Sequence, residues 1–339
     1  MSRRRGCRGC LARLFLFSFV LVLLAAGGIY VSIEQPYRAF EGVTFIELER
    51  GTGTRGIAQQ LAGKGVIRYP WQFLIVRALR SHAALQAGEY RFDRPASVWT
   101  VYDRIARGDV FYYEITVPEG ANMFDIASSI EQLGLLSRND FLAAARDPQL
   151  IHDLAPQAPT LEGYLFPSTY RLTRHMTAAQ ICRLMTDTFR KHWQQLPKPD
   201  RPASVHEIVT LASLVEKETG LPDERPTVAS VYLNRLRTGM PLDCDPTTIY
   251  AALLENRYRG TIYRSDLDSD NAYNTYKHAG LPPGPVANPG AASLRAAIQP
   301  ADTQYLYFVA RPDGSGGHHF SSTMAEHEKA VQAYRRGQR

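Results

Sequence analysis

LASLVEKETG, residues 211–220, places an acidic side chain on the apolar face of a predicted helix, and the rest of the chain can be read outward from it. The run 207–219 carries Ile208, Leu211, Ala212 and Val215 at helical spacing, contains no Gly or Pro, and stops at Gly220 with Pro222 just beyond. At roughly 100° per residue, Ile208, Leu211, Leu214 and Val215 fall within about 80° of Glu218 around the axis. Glu218 therefore points where a core belongs. Glu216 projects about 160° away and Lys217 about 100° away, so both are expected to reach water. Desolvation disfavours the charged form of a carboxyl on an apolar face and raises its pKa, which suits a general acid. The competing reading is a helix-end carboxylate turned to solvent or paired with Arg225 or Arg235.

Composition narrows the setting. The formal charge is +6, but Arg3, Arg4, Arg5, Arg8 and Arg13 supply five of it, leaving no basic footprint for nucleic acid. Those arginines precede residues 14–31, LFLFSFVLVLLAAGGIYV, an uncharged run that spans about 27 Å as a helix, close to a bilayer core. Residues 1–13 then form a cytoplasmic basic tail and 14–31 a transmembrane anchor, with the remainder facing the periplasm or its equivalent. Ala25, Ala26 and Gly27 also allow a cleaved signal peptide, but the apolar run outlasts a usual signal core through Ile29, Tyr30 and Val31. Cys7 and Cys10 precede the apolar run, without His or Cys partners for zinc. Cys182 and Cys244 are expected as two separate buried thiols.

A repeat follows the short linker 32–42. Residues 43–67 laid over 112–136 match Gly51 with Gly120, Ile57–Ala58 with Ile126–Ala127, Leu61 with Ile130 and Gly65 with Gly134. Each copy reads as a strand, a turn at Gly and an amphipathic helix closed by Gly. Between them 69–79 reads as a helix, 88–92 as a strand and 98–106 as a helix. Residues 51–56, GTGTRG, are a literal G-x-G-x-x-G, yet no acid lies near Val76 to hold a ribose, and the second copy has Asn122 and Asp125 where the later glycines would fall. The glycines serve the turn.

From Leu161 the motifs change. LEGYLFPSTY (161–170) precedes a helix over 178–193, the Glu218 helix, and a second buried helix over 227–236. DCDPTTIY (243–250), AYNTY (272–276) and GLPPGP (280–285) are polar, aromatic and turn-rich; they are expected as loops around a sugar-binding cleft. A C-terminal hairpin over 305–310 and 318–322 and a last helix over 324–335 complete the chain. His318 and His319, adjacent on a strand, point to opposite faces and so are not read as a metal pair.

Two resemblances emerge from these residues. The order strand, helix, helix, strand over 43–110 resembles a LysM-like module, which implies binding to N-acetylglucosamine polymers; a spacer holding the catalytic part off the membrane is the alternative. The motifs from Leu161 onward, with E-K-E-T at 216–219, resemble the endolytic murein transglycosylase (YceG-like) family. The implied fold is α+β: one N-terminal transmembrane helix, the small LysM-like βααβ module, a second βα repeat with connector over 111–159, and a larger α+β catalytic domain over 160–339.

The family resemblance implies a single-pass inner-membrane lytic transglycosylase acting on peptidoglycan glycan strands, with no metal and no cofactor, and with peptidoglycan synthases as candidate partners. It puts the catalytic acid at Glu218. It also implies that Glu162, Tyr170, Asn234, Asp245, Tyr273, Asn274 and Tyr276 surround the cleft, although Glu162 and Asp245 would serve equally to hold loops and Tyr170 to fill the core. Ser168, where the family pattern carries an acid, and Cys244 beside Asp245 depart from it. A hydrolase pairing Glu218 with Glu162 or Asp245, and an inactive glycan-binding scaffold, stay open as alternatives.

Overall fold

The computed structural model describes residues 5–80, 83–199 and 201–337. Arg3 and Arg4 of the basic tail lie outside these, as do the side chains of Arg5, Cys7, Arg8 and Cys10. The chain forms two compact units: one runs to Tyr113 and takes in Thr173–His175, and the other comprises Glu114–Leu172 and the chain from Met176.

The first unit begins with α1 (Arg5–Glu34). Its stretch Ala12–Glu34, 23 residues whose most apolar window is left uncovered by the protein, is long and apolar enough to cross a membrane. After it come β1 (Thr44–Leu48), α2 (Thr54–Gly63), α3 (Pro70–Leu79), β2 (Gly88–Phe92) and α4 (Val98–Arg107). β1 pairs antiparallel with β2, Thr44 opposite Phe92 and Leu48 opposite Gly88. That pairing leaves the G-x-G-x-x-G turn without the parallel crossover a dinucleotide site requires. Alternation puts Ile46 and Leu48 inward against Ile57, Leu61, Phe73, Val76 and Val101, a small core of its own. Ile33 belongs to that core, and Gln72 Nε2 donates to the Ser32 carbonyl and hydroxyl at 2.8 and 2.7 Å. The end of α1 is thus part of the module's packing.

The second unit contains β3 from Glu114 onward (β3, Tyr113–Val117), α5 (Met123–Gln132), α6 (Arg138–Ala145), β4 (Ser168–Leu172), α7 (Ala178–Trp193), α8 (Val205–Glu218), α9 (Arg225–Thr238), α10 (Asp245–Leu254), the single turn α11 (Arg264–Leu267), α12 (Ala291–Ile298), β5 (Tyr307–Ala310), β6 (His318–Ser321) and α13 (Met324–Gly337). The repeat holds in three dimensions. β1 and β3 share one burial pattern, and Ile126, Ala127 and Ile130 of α5 are buried as Ile57, Ala58 and Leu61 of α2 are. Gly51 and Gly120 close the two turns at φ 88° and 75°, a region costly for a residue with a Cβ.

The hub is α8. Ser204 caps it, its hydroxyl accepting from the Glu207 N–H while the Glu207 carboxylate accepts the Ser204 N–H. Every residue from Ile208 to Val215 is buried, so the helix is enclosed by α9, α10 and α12 rather than half exposed. At about 2 kcal/mol for each fully buried Leu, Ile or Val, this helix anchors the core. Gly163 approaches it closely: at φ 87°, a Cβ there would lie 2.8 Å from Val209 Cγ1 and 2.5 Å from Pro285 Cγ.

One element differs from the sequence expectation. Residues 243–250, expected as a polar loop, enter α10 at Asp245, with Pro246 in the first turn and Thr247, Thr248 and Tyr250 buried. An Asp-Pro pair reads as a turn, but a proline in the first helical turn lacks only an N–H that has no partner within the helix. The hairpin is present as expected: β5 and β6 are antiparallel, with Tyr307 opposite Ser321 and Ala310 opposite His318. His318 is buried and His319 exposed.

Candidate active site

Enclosure of α8 forces a correction at Glu216. Far from reaching water, its side chain is 5% exposed. Oε1 lies 3.2 Å from an Arg225 guanidinium nitrogen and Oε2 accepts the Gly290 N–H at 2.9 Å. A carboxylate on the far face of a helix buried all round needs a cation and a donor, and Arg225 and Gly290 supply them. Lys217 is exposed and its Nζ donates to the Gly120 carbonyl at 3.2 Å. Arg225 is thereby taken. Arg235 spends its donors on the carbonyls of Leu306, Pro241 and Leu242. Neither arginine pairs directly with Glu218.

Glu218, half-buried, closes the last turn of α8, where the negative end of the helix dipole disfavours a carboxylate. Its Oε2 accepts the Tyr232 hydroxyl of α9 at 3.2 Å, and that hydroxyl also lies 3.4 Å from Cys244 Sγ. One phenolic proton cannot serve both; given to Glu218, it leaves the thiol as donor to the phenolic oxygen. Burial is the largest influence on Glu218 and pushes its pKa up. The Tyr232 hydrogen bond, His318 and Arg235 pull it down, and Asp245 pushes it up. The balance is upward, as a proton donor near neutral pH requires.

The other residues singled out in sequence separate into groups. Asp245, whose charge raises the proton affinity of Glu218, is exposed and accepts a 2.7 Å hydrogen bond from the exposed Tyr276 hydroxyl. Asn234 is buried and donates to the Thr303 and Tyr305 carbonyls at 2.9 Å each, fastening the chain that leads into β5. Asn274 gathers the turn after α11, donating to Leu267 and Ser269 carbonyls at 2.9 and 2.7 Å. Tyr273 packs tilted against Tyr250 with ring centroids 5.1 Å apart, and Tyr170 is buried with its hydroxyl on the Phe166 carbonyl.

Glu162 is fully enclosed. It accepts the Met123 N–H and Asn288 Nδ2 at 2.9 Å each, and burial pushes its pKa up to about 8 from 4.5. A carboxyl that holds its proton more tightly folded than unfolded stabilises the fold fully below 4.5, and that contribution is lost as pH rises through about 8. This contribution to the melting temperature is therefore expected to decline between pH 4.5 and about pH 8, and the decline to be absent from Glu162→Gln. Equal slopes in a calorimetric pH series would exclude this role.

Sequence reasoning missed Tyr232 as the partner of Glu218, the Glu216–Arg225 pair and Asn288. Tyr232 was legible as core but carries no local mark of its contact fourteen positions back. Cys182 and Cys244 are free, buried thiols, as expected.

The fold and site define a mixed α/β protein with an enclosed central helix that ends on a protonatable, solvent-reachable glutamate. Residues 46–333 match the YceG-like family. The chain is 32% identical to the endolytic murein transglycosylase of Bacillus subtilis (strain 168), over 92% of this chain and 91% of the relative. It is 27% identical to the protein of that name from Streptococcus pneumoniae D39, over 94% of this chain but 64% of the longer relative. The crystal structure of a yceG-like protein from Listeria monocytogenes superposes with a TM-score of 0.54 at 30% identity, covering 85% of this chain and 98% of that one. This chain belongs to the YceG-like family.

Proposed function

We propose that this chain is an endolytic murein transglycosylase, with Glu218 as its single acid and base. The observation that carries the reading is the half-buried Glu218 carboxyl at the end of the central helix, held by Tyr232 and with its proton affinity raised by desolvation. The names of the relatives in Bacillus subtilis and Streptococcus pneumoniae support the substrate class.

In this mechanism Glu218 gives its proton to the glycosidic oxygen between N-acetylmuramic acid and N-acetylglucosamine as the bond from the muramyl anomeric carbon breaks. The carboxylate left behind takes the proton of the muramyl 6-hydroxyl, whose oxygen closes on the anomeric carbon to form a 1,6-anhydro ring. No water is consumed. Asp245 and Tyr276, both exposed, contact the sugars. Glu162, Tyr170, Asn234, Tyr273 and Asn274 hold the walls that carry them.

The α1 span anchors the enzyme in the inner membrane with its arginine-rich start in the cytoplasm, and the βααβ module over 43–110 acts as a LysM-like glycan holder or spacer. Peptidoglycan synthases are its natural neighbours; cross-linking that recovers none would remove that part.

A second reading has one observation in its favour. Asp245 is near enough for its charge to raise the proton affinity of Glu218, so the two could act as the carboxylate pair of a hydrolase. Mass spectrometry of products from uncross-linked glycan strands digested with the detergent-solubilised full chain separates the two. Internal fragments lighter by one water support the transglycosylase, whereas ordinary reducing ends support the hydrolase.

A further inference from the structure

The two oxygens of the acid are held differently. Glu218 Oε2 accepts the Tyr232 hydroxyl at 3.2 Å, while Oε1 has no hydrogen-bond partner among the described residues. On the other side of that hydroxyl, at 3.4 Å, lies Cys244 Sγ, and both the phenol and the thiol are buried. The backbone of Cys244 is fastened where α10 begins: its N–H donates to Thr275 Oγ1 at 3.0 Å and its carbonyl accepts Thr247 Oγ1 at 2.6 Å. The Thr247 and Thr275 hydroxyls are themselves joined at 2.9 Å. The thiol is thereby held in place behind the phenol. A tyrosine that only filled the core would need one acceptor and would be indifferent to a thiol behind it.

We propose that Tyr232 is a positioning residue that sorts the two oxygens of Glu218, and that the Cys244 thiol fixes the direction in which Tyr232 donates. With the S–H aimed at the phenolic oxygen and the phenolic O–H aimed at Oε2, the carboxyl cannot place its own proton on Oε2 without two hydrogens meeting. The transferable proton therefore sits on Oε1, the unheld oxygen. This rests on the transglycosylase reading. Oε1 gives that proton to the glycosidic oxygen as the bond to the anomeric carbon breaks, and takes the proton of the 6-hydroxyl as the ring closes. The hydrogens of Tyr232 and Cys244 stay where they are, so nothing is gained or lost overall.

The titratable and charged groups acting on Glu218 are Tyr232 and Arg235 of α9, Cys244 and Asp245 at the start of α10, and His318 of β6, whose ring Nδ1 bonds Glu224 at 2.8 Å. Cys244 in turn meets Tyr232, Glu218, Asp245 and the Thr247 N–H. Burial pushes the pKa of the phenol and that of the thiol up, so each keeps its hydrogen while Glu218 titrates. The Tyr232 hydrogen bond favours the carboxylate, and its loss makes Glu218 a weaker acid that stays protonated to higher pH.

The test uses the full chain in detergent on uncross-linked glycan strands, comparing wild type with Tyr232→Phe, Cys244→Ser and Cys244→Ala. In Tyr232→Phe, kcat is expected to fall about tenfold with KM within about twofold, and the alkaline limb of the pH profile to move to higher pH. Cys244→Ala is expected to lower kcat about threefold, whereas Cys244→Ser, which keeps a donor, stays within about twofold of wild type. This pair covers the case in which Tyr232→Phe does not fold. An unchanged or higher kcat in Cys244→Ala would make the thiol a competitor for the phenolic proton and overturn the proposal. Two readouts need no turnover. The infrared S–H stretch of Cys244, assigned by its loss in Cys244→Ser, is expected to move to higher frequency in Tyr232→Phe. In a ¹³C-carboxylate titration, the Glu218 midpoint, assigned by its loss in Glu218→Gln, is expected to rise in the same variant. An unmoved band or an unshifted midpoint overturns the proposal. Ordinary reducing ends on the wild-type products overturn the transglycosylase reading instead, and the band and the midpoint still decide the roles of Tyr232 and Cys244.

Discussion

Glu218→Gln is expected to lower glycan cleavage by about a thousandfold or more while leaving the melting temperature nearly unchanged, because the amide removes the transferable proton and little else. The Gln carbonyl oxygen accepts the Tyr232 hydroxyl as Oε2 does at 3.2 Å, and the volume at the end of α8 is preserved. Desolvation of this half-buried carboxyl penalises its charged form, so a neutral replacement adds no desolvation cost. Activity assays on strands and a melting curve of the same preparation check both halves. A large loss of stability would mean that Glu218 is a structural acid.

The largest effect on folding is expected at Asn288, far in sequence from what it binds. Its Oδ1 accepts the N–H groups of Gly163 and Leu165, and its Nδ2 donates to the Ala121 carbonyl and Glu162 Oε1, all at 2.9 Å. Its backbone N–H and carbonyl pair with Ala121 and Gly120 at 2.9 Å as well. Both lone-pair directions and both amide hydrogens of the side chain are used in a fully buried position. Asn288→Ala strands two buried N–H groups and takes a donor from Glu162, at about 1–3 kcal/mol per unsatisfied group. The sum is about 4 kcal/mol, or about 10 °C in melting temperature for a domain of this size. A calorimetric shift under about 3 °C would show that water replaces the side chain.

What sequence revealed and what it hid follow from the range of each interaction. The acid at the end of α8 was legible because an apolar period and a Gly stop are local, and the repeat was legible because the same five-position strand and buried helical triplet recur. Glu216 was misjudged because a helical wheel assumes one solvent face, whereas the burial of Ile208 to Val215 leaves none. The start of α10 was hidden by an Asp-Pro pair that serves turns and helix starts alike. Asn288, followed by Pro289 and Gly290, reads as a loop. Its partners 123 to 167 positions away, like the 94-residue separation of Glu224 and His318, appear only once the chain is folded.

The central claim is that Glu218 drives cleavage in which the strand's own hydroxyl, and not water, attacks. Digestion of glycan strands by the full-length enzyme in ¹⁸O-labelled water, with Glu218→Gln in parallel, tests it directly. The account predicts internal fragments that carry no ¹⁸O at the newly formed muramyl end and are absent with the variant. One ¹⁸O atom at each new end would contradict it and make the enzyme a hydrolase.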